Sequence, residues 1–339
     1  MGPVLTKARR GRLEPKQYID GILERDRTVL ARAVTVIESE RDEDADLAAA
    51  ILEGVLPYSG KARRVGVTGL PGAGKSTFID KLGVHLVRDC GEKVAVLTVD
   101  PSSPVSGGSI LGDKTRMENL SAEENAFIRP SPARGHLGGV TRKTRETILL
   151  CEAAGYENVL VETVGVGQSE TAVRSMTDFF LLITIAGAGD ELQGIKRGIL
   201  EMIDAMAINK ADGDNEQRAE RARVEYRNAL HLFSASPDGW SPKVLAISAL
   251  TGKGIAEVWK LILQHRAELT ANGFLAKRRS RQALDWMREL VSTGLEQLLR
   301  KDQAAADLLP RLETAVENGE MTPSVAARRL LTVLTSKDR

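Results

Sequence analysis

A doubly wound, mostly parallel α/β sheet is the fold this sequence predicts, and three observations predict it. Five short runs, at residues 94–99, 159–161, 179–185, 205–208 and 244–247, are continuously apolar rather than alternating. Strands buried on both faces read this way. Segments of helical periodicity lie between the runs, which is the strand–helix rhythm of a parallel sheet. Finally, the β-type run Val65-Gly66-Val67-Thr68 enters Gly69-Leu70-Pro71-Gly72-Ala73-Gly74-Lys75-Ser76-Thr77, and Phe78, Ile79, Leu82, Leu86 and Val87 follow at helical spacing.

That glycine-rich stretch fits the pattern G-x-x-x-x-G-K-[ST] at each fixed position. A strand, a glycine-rich turn and a helix start together aim backbone N–H groups and the positive end of a helix dipole at phosphate. Lys75 is expected to reach the β- and γ-phosphates, and the Ser76 hydroxyl to ligate magnesium. A P-loop nucleotide domain is the resulting expectation.

Ahead of this domain, Tyr18, Ile19, Ile22 and Leu23 predict a helix from Pro15. Leu30, Ala33, Val34 and Ile37 predict a second, and Leu47, Ala50, Ile51, Val55 and Leu56 a third that Pro57 stops. This prefix carries no catalytic signature and is expected to pack on the sheet domain. From about Thr270 the chain changes character. Ala283, Leu284, Met287, Leu290, Val291, Leu295 and Leu298 form a helical stripe, with Trp286 beside it. A shorter helix is expected over 307–316, and Thr322-Pro323 starts a last one. So much leucine beyond a complete sheet predicts an interface arm. Lys277, Arg278, Arg279 and Arg281 read as a solvated helix start. The expected division is a helical extension over 1–60, a nucleotide domain over 61–268 and a C-terminal helical arm over 269–339.

Composition narrows the function. In 339 residues, 47 Lys and Arg face 46 Asp and Glu, a net charge of +1. A general nucleic-acid binder would need a basic surplus to displace counterions. No apolar run approaches the roughly 20 residues that span a bilayer. The N-terminus is basic but has no apolar signal core behind it. Cys90 and Cys151 are the two cysteines, and reduced, buried thiols in the cytoplasm are expected.

Asn209-Lys210-Ala211-Asp212 follows the run at 205–208. A carboxylate there can accept paired hydrogen bonds from the N1–H and exocyclic amine of guanine, whereas adenine would leave it unpaired. Such a polar contact can discriminate by about 10⁴–10⁵. Asn209 would steady the loop, and the Lys210 stem would lie along the base. Ser248-Ala249-Leu250, after the run at 244–247, would complete a guanine pocket through its backbone. GTP rather than ATP is the expected ligand. Asp100 and Glu162 end two further strands, where a carboxylate beside Ser76 suits magnesium. Gly165 suits a backbone N–H that meets the γ-phosphate and registers its loss. Asp113, in a glycine- and serine-rich segment, is a candidate for positioning water or a metal-bound water.

Assembled, these pieces closely resemble the MeaB/ArgK family, bacterial relatives of the human methylmalonic aciduria type A protein. Matching stretches are the phosphate loop at 69–77, Asp-Pro-Ser-Ser at 100–103 and Gly-Gly-Ser-Ile-Leu-Gly-Asp-Lys-Thr-Arg-Met at 107–117. Others are Ile128-Arg129-Pro130-Ser131-Pro132, Glu-Thr-Val-Gly-Val-Gly-Gln-Ser-Glu at 162–170, Gly-Ala-Gly-Asp-Glu-Leu-Gln-Gly-Ile-Lys at 187–196 and Asn-Lys-Ala-Asp at 209–212. The resemblance implies a GTPase that chaperones an adenosylcobalamin-dependent acyl-CoA mutase, usually methylmalonyl-CoA mutase. It implies gating of cofactor loading, protection of the mutase, slow hydrolysis until the partner acts, and a homodimer joined through the C-terminal arm. Carried over by motif, Lys75 and the loop amides bind phosphates, while Ser76, Asp100, Asp113 and Glu162 surround magnesium. Asp190, Gln193 and Lys196 would speak to the mutase from a third switch.

Two other readings compete. A metal-delivery GTPase needs soft or imidazole ligands, but the two cysteines are far apart and His85, His136, His231 and His265 are scattered. An ATPase energising amino-acid uptake is opposed by Asp212, which favours guanine.

Overall fold

The computed structural model describes residues 12–99, 117–130, 137–163, 169–187, 197–231 and 238–335. The chain divides into two compact units, Met1–Leu275 and Ala276–Arg339.

In the first unit the described residues form a seven-stranded sheet. The strands are β1 (Arg63–Gly69), β2 (Val94–Val99), β3 (Ala126–Arg129), β4 (Asn158–Thr163), β5 (Phe179–Ile185), β6 (Ala205–Asn209) and β7 (Lys243–Ala246). Their spatial order is β3-β2-β4-β1-β5-β6-β7, and each pairing is parallel. β2 and β4 are buried along their whole length, as continuous apolar runs require. β3 has no counterpart among the expected strands. It is a four-residue edge strand, too short to stand out by pattern. The chain runs from β1 to one side of the sheet and later returns through β5 to the other. In open α/β sheets, ligands bind beyond the carboxyl ends of the strands at such a reversal of strand order.

Three helices precede the sheet: α1 (Pro15–Leu23), α2 (Arg27–Glu38) and α3 (Asp42–Val55). The Asp26 carboxylate caps α2 by accepting the N–H groups of Thr28 and Val29, at 2.7 and 3.1 Å. α3 gives way to a 3₁₀ turn, Leu56–Tyr58, containing the expected Pro57. α4 (Lys75–Arg88) leaves the phosphate loop, and its apolar face places Phe78, Ile79, Leu82 and Leu86 out of reach of solvent. α5 (Glu118–Ser121) and α6 (Leu137–Ala153) follow. α1, α2 and α3 pack on α6, so their buried residues join the core of the sheet. Arg64 donates to both Glu152 oxygens at 2.8 Å, fixing the start of β1 to α6. Next come α7 (Ser169–Arg174), α8 (Arg197–Leu200), α9 (Glu216–Leu230) and α10 (Ile255–Ala271). Arg174 ends α7 in a fork on Asp204, at 2.8 and 3.2 Å, and Asp204 also accepts the Phe180 N–H.

The second unit is helical. It contains most of α11 (Phe274–Lys301), then α12 (Gln303–Glu317) and α13 (Pro323–Thr335). Asp302 caps α12 through the Ala305 N–H. α12 and α13 pack together, and Ala305, Leu312 and Ala326 are buried there. On α11, Leu284, Met287, Val291, Leu295 and Leu298 are each more than half exposed. The thiols divide as well: Cys151 is buried as expected, whereas Cys90, just past the end of α4, is exposed.

Candidate nucleotide site

Backbone geometry builds the phosphate loop. Gly69 has φ of 147°, and a Cβ there would lie 1.9 Å from the Ile183 carbonyl oxygen. β5 thus approaches the loop more closely than any side chain permits. Gly74 is the N-cap of α4, with φ of 90°. A Cβ there would meet the Asn209 Nδ2 at 2.5 Å, so this glycine makes room for the Asn209 side chain. Lys75 is buried, and its ammonium donates to the carbonyls of Gly69 and Leu70, at 2.9 and 3.1 Å. The positive charge is thereby held over the glycine-rich loop.

Beside it, Ser76 donates its hydroxyl to Glu162 Oε1 at 2.8 Å. The register places Glu162 opposite Val67, within β4 rather than beyond its end, and the side chain is buried. A hydroxyl and a carboxylate side by side next to a phosphate cradle are hard oxygen donors, the kind magnesium prefers. Behind them the buried hydroxyls of Thr68 and Thr163 lie 2.9 Å apart and tie β1 to β4. Sequence reasoning missed this pair. A threonine at the end of each of two otherwise apolar runs was the available signal.

The Asn209–Asp212 segment is cross-linked to the glycine-rich loop. Asn209 donates through Nδ2 to the Ala73 carbonyl at 2.7 Å and accepts through Oδ1 from the Ala249 N–H at 2.9 Å. The Ser248 hydroxyl bonds Asp212 Oδ2. The Ala211 N–H donates to Ile247 O at 2.9 Å. Lys210 between them has φ of 61°, a left-handed conformation that costs a residue with a Cβ about 1–2 kcal/mol. Leu250 stands largely exposed at the rim. The chain therefore brings together Gly69, Leu70, Pro71, Gly72, Ala73, Gly74, Lys75, Ser76 and Thr77 with Glu162, Asn209, Lys210, Asp212, Ser248, Ala249 and Leu250. Asp100, Asp113, Gly165, Asp190, Gln193 and Lys196 lie outside the described residues.

Three histidines lie elsewhere. His265 is buried edge-on to Phe179 and Trp240, with Nε2 3.5 Å from Asp204 Oδ1. His85 bonds Asp89 at 2.6 Å, and His231 follows α9. No group of three or more potential metal-binding side chains occurs among the described residues. No described helix is long and apolar enough to cross a membrane.

Residues 30–304 match the family described as methylmalonyl Co-A mutase-associated GTPase MeaB. The chain is 48% identical to the GTPase ArgK of Escherichia coli over 90% of its own length and 92% of that protein. It is 44% identical to the mitochondrial methylmalonic aciduria type A homolog of Mus musculus, over 94% of this chain and 79% of that one. A crystal structure described as LAO/AO transport system kinase superposes with a TM-score of 0.76 at 38% identity, covering 98% of this chain and all of the other. The phosphate cradle, its cross-linked guanine loops and these matches agree: the chain belongs to the MeaB/ArgK family and is a guanine-nucleotide-binding GTPase.

Proposed function

We propose that this GTPase is a cytoplasmic chaperone that gates adenosylcobalamin loading into a cobalamin-dependent acyl-CoA mutase, with methylmalonyl-CoA mutase as the client, and protects that enzyme. The observation that carries this reading is the match of residues 30–304 to a family described as mutase-associated. The name of the mouse relative, which refers to methylmalonic aciduria, supports it. Hydrolysis is slow until the mutase orders the loops around the nucleotide.

In this reading Lys75 and the loop amides hold the phosphates, and Asn209, Lys210, Asp212 and the backbone at 248–250 hold guanine. Ser76 and Glu162, with Asp100 and Asp113, hold magnesium, which when bound neutralises phosphate charge. The neighbouring Ser76 and Glu162 oxygens support that assignment. Gly165 registers the γ-phosphate, while Asp190, Gln193 and Lys196 form the partner-coupling switch. The working form is a homodimer joined through residues 269–339. The exposed apolar stripe on α11 supports this, because a surface of that kind calls for a cover.

Affinity capture tests the proposal. The tagged chain, loaded with GDP or with a non-hydrolysable GTP analogue, is mixed with methylmalonyl-CoA mutase from the same source. Retention that depends on the nucleotide is expected. No retention in either state overturns the chaperone reading and leaves the GTPase assignment standing.

A further inference from the structure

The Ser248 hydroxyl holds the Asp212 carboxylate directly, and the backbone that leads into Asp212 is held by bonds from outside the motif. The Lys210–Ala211 peptide is the strained unit, because Lys210 adopts a left-handed φ of 61°. Both ends of that peptide plane are clamped. Its N–H, on Ala211, donates to Ile247 O at 2.9 Å. Its carbonyl, on Lys210, accepts the Asn215 Nδ2 at 2.8 Å. The Asn215 backbone N–H also reaches the Asp212 carbonyl at 3.1 Å. Asn215 therefore holds the loop on both sides of Ala211 and lies outside the four-residue motif that reads the base.

We propose that Asn215 is a positioning residue for guanine selectivity, because its side-chain amide keeps the Lys210–Ala211 peptide in the one orientation that presents both Asp212 oxygens to the base. This rests on the reading of Asp212 as the guanine-edge acceptor. Two parallel hydrogen bonds, from N1–H and the exocyclic amine, tolerate less rotation of the carboxylate than one does. When the clamp is lost, the peptide relaxes toward an ordinary right-handed or extended Lys210, and Asp212 turns with it. The second bond suffers first, so the preference for guanine over hypoxanthine, which lacks the amine, falls before phosphate binding does. The ion pair between Glu216 and Lys253 spans the same two loops, but both side chains are largely exposed. Solvent screening makes that pair a weak constraint.

The test compares GDP, IDP, ADP and XDP affinities of the full chain by competition against a fluorescent guanine nucleotide. Asn215→Ala and Asn215→Asp are the variants. The aspartate is nearly isosteric yet cannot donate to a carbonyl. Both are expected to lower the GDP-to-IDP affinity ratio by about fivefold, as loss of one positioned hydrogen bond implies. IDP affinity should stay within about twofold of wild type. Lys253→Met should leave the ratio unchanged. An unchanged ratio in both Asn215 variants, or equal weakening of GDP and IDP, overturns the positioning role. Asp212→Asn separates the two layers of the argument, because it should move preference from GDP to XDP. If it does not, or if wild type binds ADP as well as GDP, the base-recognition reading fails and takes this proposal with it.

Discussion

The sheet core and helix α11 treat their apolar residues in opposite ways. In the sheet unit, Phe78, Phe180 and Leu82 are wholly buried, and polar side chains at the site bond one another: Ser76 to Glu162, Thr68 to Thr163, Asn209 to two backbones. In the C-terminal unit, α11 leaves five large apolar side chains more than half exposed along a single stripe. Satisfied hydrogen bonds around a cradle suit a unit that does chemistry, while an uncovered apolar stripe suits a unit that meets another surface. If the tasks divide as proposed, damage to one unit should spare the readout of the other.

The largest expected effect comes from Lys75→Ala. Removing the buried ammonium that the proposed site places on the phosphates should slow GTP hydrolysis by about 10²–10³, measured as phosphate release, with the oligomeric state unchanged. Near-normal hydrolysis in that variant would break the comparison at its root. Gly74→Ala comes next. It places a methyl 2.5 Å from Asn209 Nδ2 and forces a side chain into left-handed backbone. Strain of that kind should weaken GDP binding by about 10- to 100-fold in calorimetry.

On the other side, replacing Leu295 and Leu298 together by glutamate should convert the proposed homodimer to a monomer in sedimentation. GDP affinity should stay within about twofold, because neither residue lies in the sheet unit. A parallel loss of nucleotide affinity would show that the tasks are not separable. The smallest effect concerns Cys90. Burial, then Glu92 and Asp89, push its thiol above the ordinary cysteine range, against the opposing pull of Arg63. A raised thiol pKa leaves less thiolate at a given pH, so alkylation should run slower than for free cysteine at pH 8 and accelerate at higher pH than usual. Cys151, buried and raised further, should not react until the chain unfolds.

Much of this was legible in the sequence because the relevant signals are local. The phosphate loop is a contiguous string whose glycines are dictated by backbone shape, and Asn209 to Asp212 are adjacent on one strand end. The buried strands announced themselves by continuous apolarity. What escaped detection was either short or relational. β3 has four residues and pairs on one side with β2, so no long run marks it. The Asn215 clamp depends on a backbone carbonyl and a φ value, neither of which has a residue code. Cys90 was expected to be buried because a reduced cysteine usually is. It is exposed, two residues past the end of α4.

Asn209 has one further consequence. Its amide grips the phosphate loop with its nitrogen and the guanine loop with its oxygen. In the proposed site, the two halves of a nucleotide would be received by a single mechanical part, and each half that settles would help fix the seat of the other. Guanosine alone and tripolyphosphate alone should then bind far more weakly than division of GTP's binding free energy between them would suggest. An intact nucleotide would gain from a chelate-like linkage that neither fragment can use, which would favour retention of GTP and GDP over free phosphates and nucleosides.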